Sequence, residues 1–186
     1  FCDNWPTHMV GDWTDGGGTC FSFSCNDSDG DGRPDECDTV GDGVHHVPEE
    51  YKTIQEAIYA AGDHDEIIVG PGTYTCEDPG ASFASVFNPG GKRLWIHSSD
   101  GPELTIIDSC NDAYGLLFDS GETPETLIEG FTISFSGQGY SGNVECFMSS
   151  PTIRDCIISD STGIGMRVHF CSPIISNCTF LNNNGG

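Results

Sequence analysis

Residues 142–164, shifted by 22 positions, fall on residues 164–186 with matched character. Ser150-Pro151-Thr152-Ile153 lands on Ser172-Pro173-Ile174-Ile175, Asp155-Cys156 on Asn177-Cys178, Ile158 on Phe180 and Gly163 on Gly185. An earlier copy, Leu127-Ile128-Glu129-Gly130-Phe131-Thr132-Ile133, matches the same pattern at a shift of 25. A unit this short cannot enclose a core of its own. Copies must stack and share one, with constant strands and variable turns. Three inward ladders follow: Ile128–Ile153–Ile175, Phe131–Cys156–Cys178 and Ile133–Ile158–Phe180. Alternation in Val144-Glu145-Cys146-Phe147-Met148, laid over Met166-Arg167-Val168-His169-Phe170, predicts another strand. Val144, Cys146 and Met148 point inward in that reading, and Phe147 and His169 outward. Parallel coils stack about 4.8 Å apart, so residues 66–186 predict about five coils in a rod about 25 Å long.

Ahead of the repeat, residues 53–62 read as a short amphipathic helix, with Thr53 and Glu56 as a capping box and Gly62 as its stop. Glu66-Ile67-Ile68-Val69 reads as a strand and Gly70-Pro71-Gly72 as a turn. The succession YKTIQEAIYAAGDHDEIIVGPGTYT, with the later phrases SPTI…C and SPII…NCTF, resembles the N-terminal cap and coils of right-handed parallel β-helix proteins. Pectate lyases, pectin esterases and many non-enzymatic surface proteins, including secreted bacterial ones, share that arrangement. The resemblance spans about three quarters of the chain. It implies an all-β, pectate-lyase-like solenoid over residues 44–186, and it speaks for fold rather than activity.

Residues 1–43 differ in kind. Cys2, Cys20, Cys25 and Cys37 crowd into a segment with almost no aliphatic residues, so two disulfides are expected to stand in for a core; zinc is the weaker rival, with no CxxC pair or nearby Cys/His pattern behind it. The chain has 10 cysteines, an even number, which points to an oxidising compartment. Four cysteines allow three pairings, all of them open. Asp27, Asp29, Asp31, Asp35 and Asp38 occupy positions 1, 3, 5, 9 and 12 of a loop, with Gly32 at position 6. Arg33, at position 7, contributes its backbone carbonyl. Alternate oxygens turned inward around a glycine bend form a Ca²⁺ cage. The spacing resembles the calcium loops of thrombospondin type 3 repeats and dockerins, where Asp at position 12 is usual; Pro34 departs from the dockerin pattern. The expected role is structural, with affinity of about 10⁻⁴–10⁻³ M, stiffening the joint between a cysteine-rich tip and the solenoid. In the repeat, Cys156 and Cys178 stack within Cα range of a disulfide. In-register side chains point the same way, so free thiols fit equally well. Cys76, Cys110, Cys146 and Cys171 carry no assignment.

Acidic residues number 29 against 6 basic ones, a formal net charge of −23. Such a field repels phosphate backbones and anionic membranes and argues against nucleic-acid partners. No apolar run reaches membrane-spanning length, so no membrane insertion is expected. A polysaccharide lyase needs a basic side chain to remove a proton. The candidates are Lys52, Lys92, Arg93, Arg154 and Arg167, and Arg167 over Glu145 reads more simply as a cross-strand ion pair. Glycoside hydrolysis needs two facing carboxylates. Asp155 and Asp160 are the candidates, but the alignment of Asp155 with Asn177 reads as turn chemistry. His45-His46 lacks a third metal ligand and reads as linker. Asn26 and Asn177 fit the glycan-acceptor pattern. No catalytic set emerges. The chain stops in mid-repeat, leaving a strand edge that either further chain or another copy must cover. The expectation is an extracellular or cell-surface structural or adhesive protein, self-associating end to end into a calcium-stabilised filament or assembly. The alternative is a polysaccharide lyase-like enzyme or a glycan-binding β-helix module, with Phe147 and His169 facing a polysaccharide.

Overall fold

The computed structural model describes residues 43–76, 85–109, 113–135 and 142–185. The predicted calcium loop, with Asp27, Asp29, Asp31, Arg33, Asp35 and Asp38, lies outside the described residues, as do Cys2, Cys20, Cys25, Cys37 and Cys110.

Strands follow one another in threes. After β1 (Val44–Val47) and α1 (Ile54–Ala60), the first turn is β2 (Glu66–Val69), β3 (Gly72–Thr75) and β4 (Ser85–Phe87). The second is β5 (Trp95–Ser98), β6 (Thr105–Ser109) and β7 (Tyr114–Phe118), and the third β8 (Leu127–Glu129), β9 (Thr132–Phe135) and β10 (Val144–Phe147). The fourth is β11 (Thr152–Arg154), β12 (Ile157–Ser159) and β13 (Met166–His169); β14 (Ile174–Ser176) and β15 (Thr179–Leu181) open the fifth. Like strands stack into three sheets, ordered β1-β2-β5-β8-β11-β14, β3-β6-β9-β12-β15 and β4-β7-β10-β13. Every pairing is parallel. The chain is a parallel β-solenoid of about five turns.

Alternation along each strand sends one residue type inward at each level. In the long sheet Ile67, Ile96, Ile128, Ile153 and Ile175 stack in register. In the second, Tyr74, Ile107, Ile133, Ile158 and Phe180 do the same. Both ladders expected from the repeat are present, and each continues two coils further toward the N-terminus. Phe131, Cys156 and Cys178 stack as well: Ile157 N donates to Phe131 O at 2.9 Å, and Thr179 N to Cys156 O at 2.9 Å.

The corners explain the repeat's polar residues. Met148 and Phe170, Asp155 and Asn177, and Asp160 and Asn182 form three left-handed bends, with φ between 50° and 58°, recurring every 22 residues. Asp and Asn tolerate that conformation because their short side chains bond locally. Here they also bond along the stack: Asn177 Nδ2 donates to Asp155 Oδ1, and Asn182 Nδ2 to Asp160 Oδ1 at 3.1 Å. Met148 is a correction. Alternation placed it inward, but the chain bends there and leaves it 64 % exposed. At Gly115 a Cβ would lie 2.7 Å from Ile133 Cγ2 and 2.9 Å from Asn143 O, so only glycine fits between the sheets at that level.

Helix α1 closes the N-terminal end. Thr53 Oγ1 accepts from Glu56 N at 3.1 Å, half of the expected capping box, while Glu56 Oε2 accepts from Lys52 N at 3.1 Å, one residue early. Gly62 does not stop the helix by turning left-handed; it donates to Asp65 Oδ2 at 2.7 Å. Lys92 supplies the stop instead. Its Nζ donates to Ile58 O at 2.7 Å and Ala61 O at 2.5 Å, placing a cation where the helix dipole is negative. The inner face, Ile54, Ala57 and Ile58, is buried in the shared core. Buried Gln55 accepts from Asn88 N at 2.8 Å and donates to Asn88 O at 3.3 Å, taking the place of a neighbouring strand beside β4.

Candidate functional site

The outer face of the long sheet carries the most developed polar constellation among the described residues. Ile96 points inward on β5, so Trp95 and His97 both point out, with rings stacked 4.3 Å apart at 26°. Trp95 Nε1 donates to Glu129 Oε2 at 2.9 Å, and His97 Nε2 lies 2.7 Å from Glu66 Oε1. The two bonds run diagonally in opposite directions along the rod. Arg154 Nη2 closes the array by donating to Glu129 Oε2 at 2.7 Å. Four neighbouring strands, β2, β5, β8 and β11, are thereby cross-braced.

Charge follows from this geometry. The Arg154 hydrogen bond holds the Glu129 carboxyl below its ordinary range, against the opposing effect of partial burial, with Trp95 adding in the same direction. Glu129 in turn holds the Arg154 guanidinium above its ordinary value. A carboxylate held ionised by two donors suits bracing and is a poor proton donor. Trp95 remains 40 % exposed, an aromatic surface with a polar edge.

The basic residues singled out from sequence are mostly engaged. Lys92 caps α1. Arg93 Nη2 and Nε meet Asp63 Oδ2 at 2.7 and 3.1 Å, and Asp63 is held below its ordinary range, chiefly by its hydrogen bond from the Arg93 backbone N–H. Arg167 Nη1 lies 3.4 Å from Glu145 Oε2, the expected cross-strand pair. Asp155 and Asp160 are corner residues, each already accepting from an asparagine of the next coil. His45 and His46 belong to β1 rather than a linker. His45 Nε2 lies 2.7 Å from buried Asp65 Oδ2, which also accepts from Gly62 N, while Asp65 Oδ1 accepts from Gly43 N at 2.8 Å. Phe147 and His169 pair in register, as the shift predicted, but the ring packed against Phe147 is Phe170, edge-on at 6.4 Å. Among the described residues no group of three or more His, Cys, Asp or Glu side chains converges on a metal position.

Sequence reasoning missed the Trp95–His97 brace. Its signal exists, two polar-edged rings at i and i+2 on a strand, but the partners are hidden by uneven coil lengths. Glu66 pairs with Trp95, Trp95 with Leu127, Leu127 with Thr152 and Thr152 with Ile174, giving coils of 29, 32, 25 and 22 residues. Only the last two shifts are similar enough to be read directly.

A second surface lies at the far end of the rod. Strands β13, β14 and β15 are the outermost of their sheets. Phe170, Ile174 and Leu181 are exposed there, and Leu181 lines an open concavity of about 370 Å³ with Gly165, Met166, Phe180, Asn182 and Asn183. No known protein family, curated protein or solved structure matches the chain.

Proposed function

We propose that this chain is a secreted structural or adhesive surface protein that self-associates end to end: a right-handed parallel β-helix behind a calcium-stiffened N-terminal module. One observation carries the reading, a break in burial along each ladder. Ile128 and Ile153 are fully buried while Ile175 is 37 % exposed; Ile133 and Ile158 are fully buried while Phe180 is 50 % exposed. The strand edge and inward side chains there need a cover, either a further coil of a longer chain or another copy, and end-to-end contact with a copy is the reading proposed.

Two further features support the reading. Cys76 is disulfide-bonded, which suits an oxidising compartment. Ca²⁺ held by Asp27, Asp29, Asp31, Asp35, Asp38 and the Arg33 carbonyl neutralises clustered carboxylates and stiffens the joint ahead of the solenoid. Sedimentation velocity over a range of concentrations, with Ca²⁺ and with a chelator, tests both parts. Concentration-dependent association that weakens on chelation is expected. Monodisperse monomers at every concentration, indifferent to the chelator, overturn the proposal.

A further inference from the structure

Among the described residues Cys146, Cys156, Cys171 and Cys178 are free thiols, and the stacked coils set them as two neighbouring pairs. Cys146, fully buried on β10, shares Ser149 as a neighbour with Cys171. Ser149 sits between them: the Cys146 thiol donates to Ser149 O at 3.3 Å, and Ser149 N donates to Cys171 Sγ at 3.4 Å. Cys156, buried just before β12, has Cys178 at the matching position one strand spacing away, where Thr179 N donates to Cys156 O at 2.9 Å. That spacing, about 4.8 Å, lies within the Cα separation disulfides accept. Their thiols also repeat one local contact at a shift of 22, Cys156 Sγ to Arg154 O at 3.2 Å and Cys178 Sγ to Ser176 O at 3.3 Å.

The placement of the pairs is the informative part. Both join residues 142–163 to residues 164–185, the junction at which the ladders lose their burial. Each pair also joins a buried thiol, Cys146 or Cys156, to a half-buried one, Cys171 or Cys178. That is the arrangement required for a two-step exchange, in which an accessible sulfur is attacked first and a sheltered one resolves it.

We propose that Cys146–Cys171 and Cys156–Cys178 are two cross-linking sites, each closing to a disulfide by exchange with a small dialkyl disulfide, that clamp the last repeat to the one before it. The thiolate of Cys171 or Cys178 attacks one sulfur of the dialkyl disulfide, forming a mixed disulfide and releasing one alkyl thiolate, which takes up a proton. The partner thiol, Cys146 or Cys156, then loses its proton to solvent and attacks the protein sulfur of the mixed disulfide. The second alkyl thiol leaves. Two protein thiols are oxidised and one dialkyl disulfide is reduced to two thiols, so electrons and protons balance. The Cys156 hydrogen bond pulls the Cys178 thiol below its ordinary range, which favours Cys178 as the attacking sulfur; that same contact and burial push Cys156 up. The clamp acts where local opening is easiest, because β14 and β15 are exposed along their whole lengths. It does not depend on association between copies.

The test uses the whole chain, reduced only enough to keep these four thiols free, then incubated with oxidised glutathione and mapped by alkylation and peptide mass spectrometry. Cross-linked peptides joining Cys146 to Cys171 and Cys156 to Cys178 are expected, with backbone amides of residues 164–185 exchanging hydrogen at least tenfold more slowly than in the reduced chain. Cys171→Ser and Cys178→Ser should each abolish only their own cross-link. Stable glutathione adducts on Cys171 and Cys178 without cross-links overturn the proposal. Pairing between the two sites, or cross-links that leave exchange unchanged, overturns it equally. The mapping of the unmodified chain decides the matter even if a variant fails to fold.

Discussion

The two ends of the solenoid receive the same ladders and treat them differently. At the N-terminal end α1 lies across the core, Gln55 bonds the backbone beside β4, and Lys92 ties off the helix carbonyls. At the other end β13, β14 and β15 carry the same inward positions with nothing packed beyond them among the described residues. A repeat is stabilised by its own folding and by the neighbours on either side. Among the described residues the coil of β14 and β15 has a neighbour on one side only, so the contrast teaches that its inward residues are set by pattern and register before burial.

The largest expected effect comes from replacing one ladder member at each level. Phe131→Ala removes a fully buried ring and should cost about 3–5 kcal/mol. Phe180→Ala removes one that is half exposed and should cost about 1 kcal/mol. Urea unfolding of both variants, read at low and high protein concentration, checks the pair. A Phe180→Ala cost that climbs toward that of Phe131→Ala as concentration rises would mean that another copy covers the end, which ties the measurement to association.

The closed end can be opened next. Lys92→Met keeps the stem and removes the charge that holds the carbonyls of Ile58 and Ala61. The expected loss is about 1–3 kcal/mol, with reduced helical circular dichroism, because charge-assisted bonds exceed neutral ones and the helix is too short to persist alone. Unchanged helicity would show that Gln55 and the apolar face of α1 suffice.

Much of this architecture was legible beforehand, for physical reasons that also mark where legibility ended. Ile128, Ile153 and Ile175, and Ile133, Ile158 and Phe180, could be stacked from sequence because a parallel register copies side-chain direction from coil to coil. Asp155 and Asn177 could be read as turn residues because few others accept a left-handed bend. Met148 was misread because period-two alternation says nothing about where a strand ends. Lys92 offered no local signal: its partners lie 31 to 34 residues away in α1, across a coil whose length nothing in the sequence announces. Glu66, Trp95 and Glu129 were hidden the same way, since their register appears only once coils of 29 and 32 residues are aligned.

The smallest effect tests the brace that lies between the two ends, across β2, β5, β8 and β11. Glu129 is held below its ordinary range by Arg154 and Trp95, so in the folded chain it stays ionised to lower pH than in the unfolded one. The sign follows: its contribution is fully present above the ordinary glutamate range and disappears as pH falls through the depressed folded value. Glu129→Gln should therefore leave a thermal unfolding midpoint lower than the parent's at neutral pH and converge with it in acid. The gap at neutral pH should be no more than about 2–4 °C, because Arg154 is partly exposed and solvent screens the pair. Asp63, lowered by Arg93 near α1, should preserve a residual acid slope in the variant. Parallel midpoint curves for parent and variant across the acid range would mean that Glu129 contributes packing and hydrogen bonds but no charge-dependent stability.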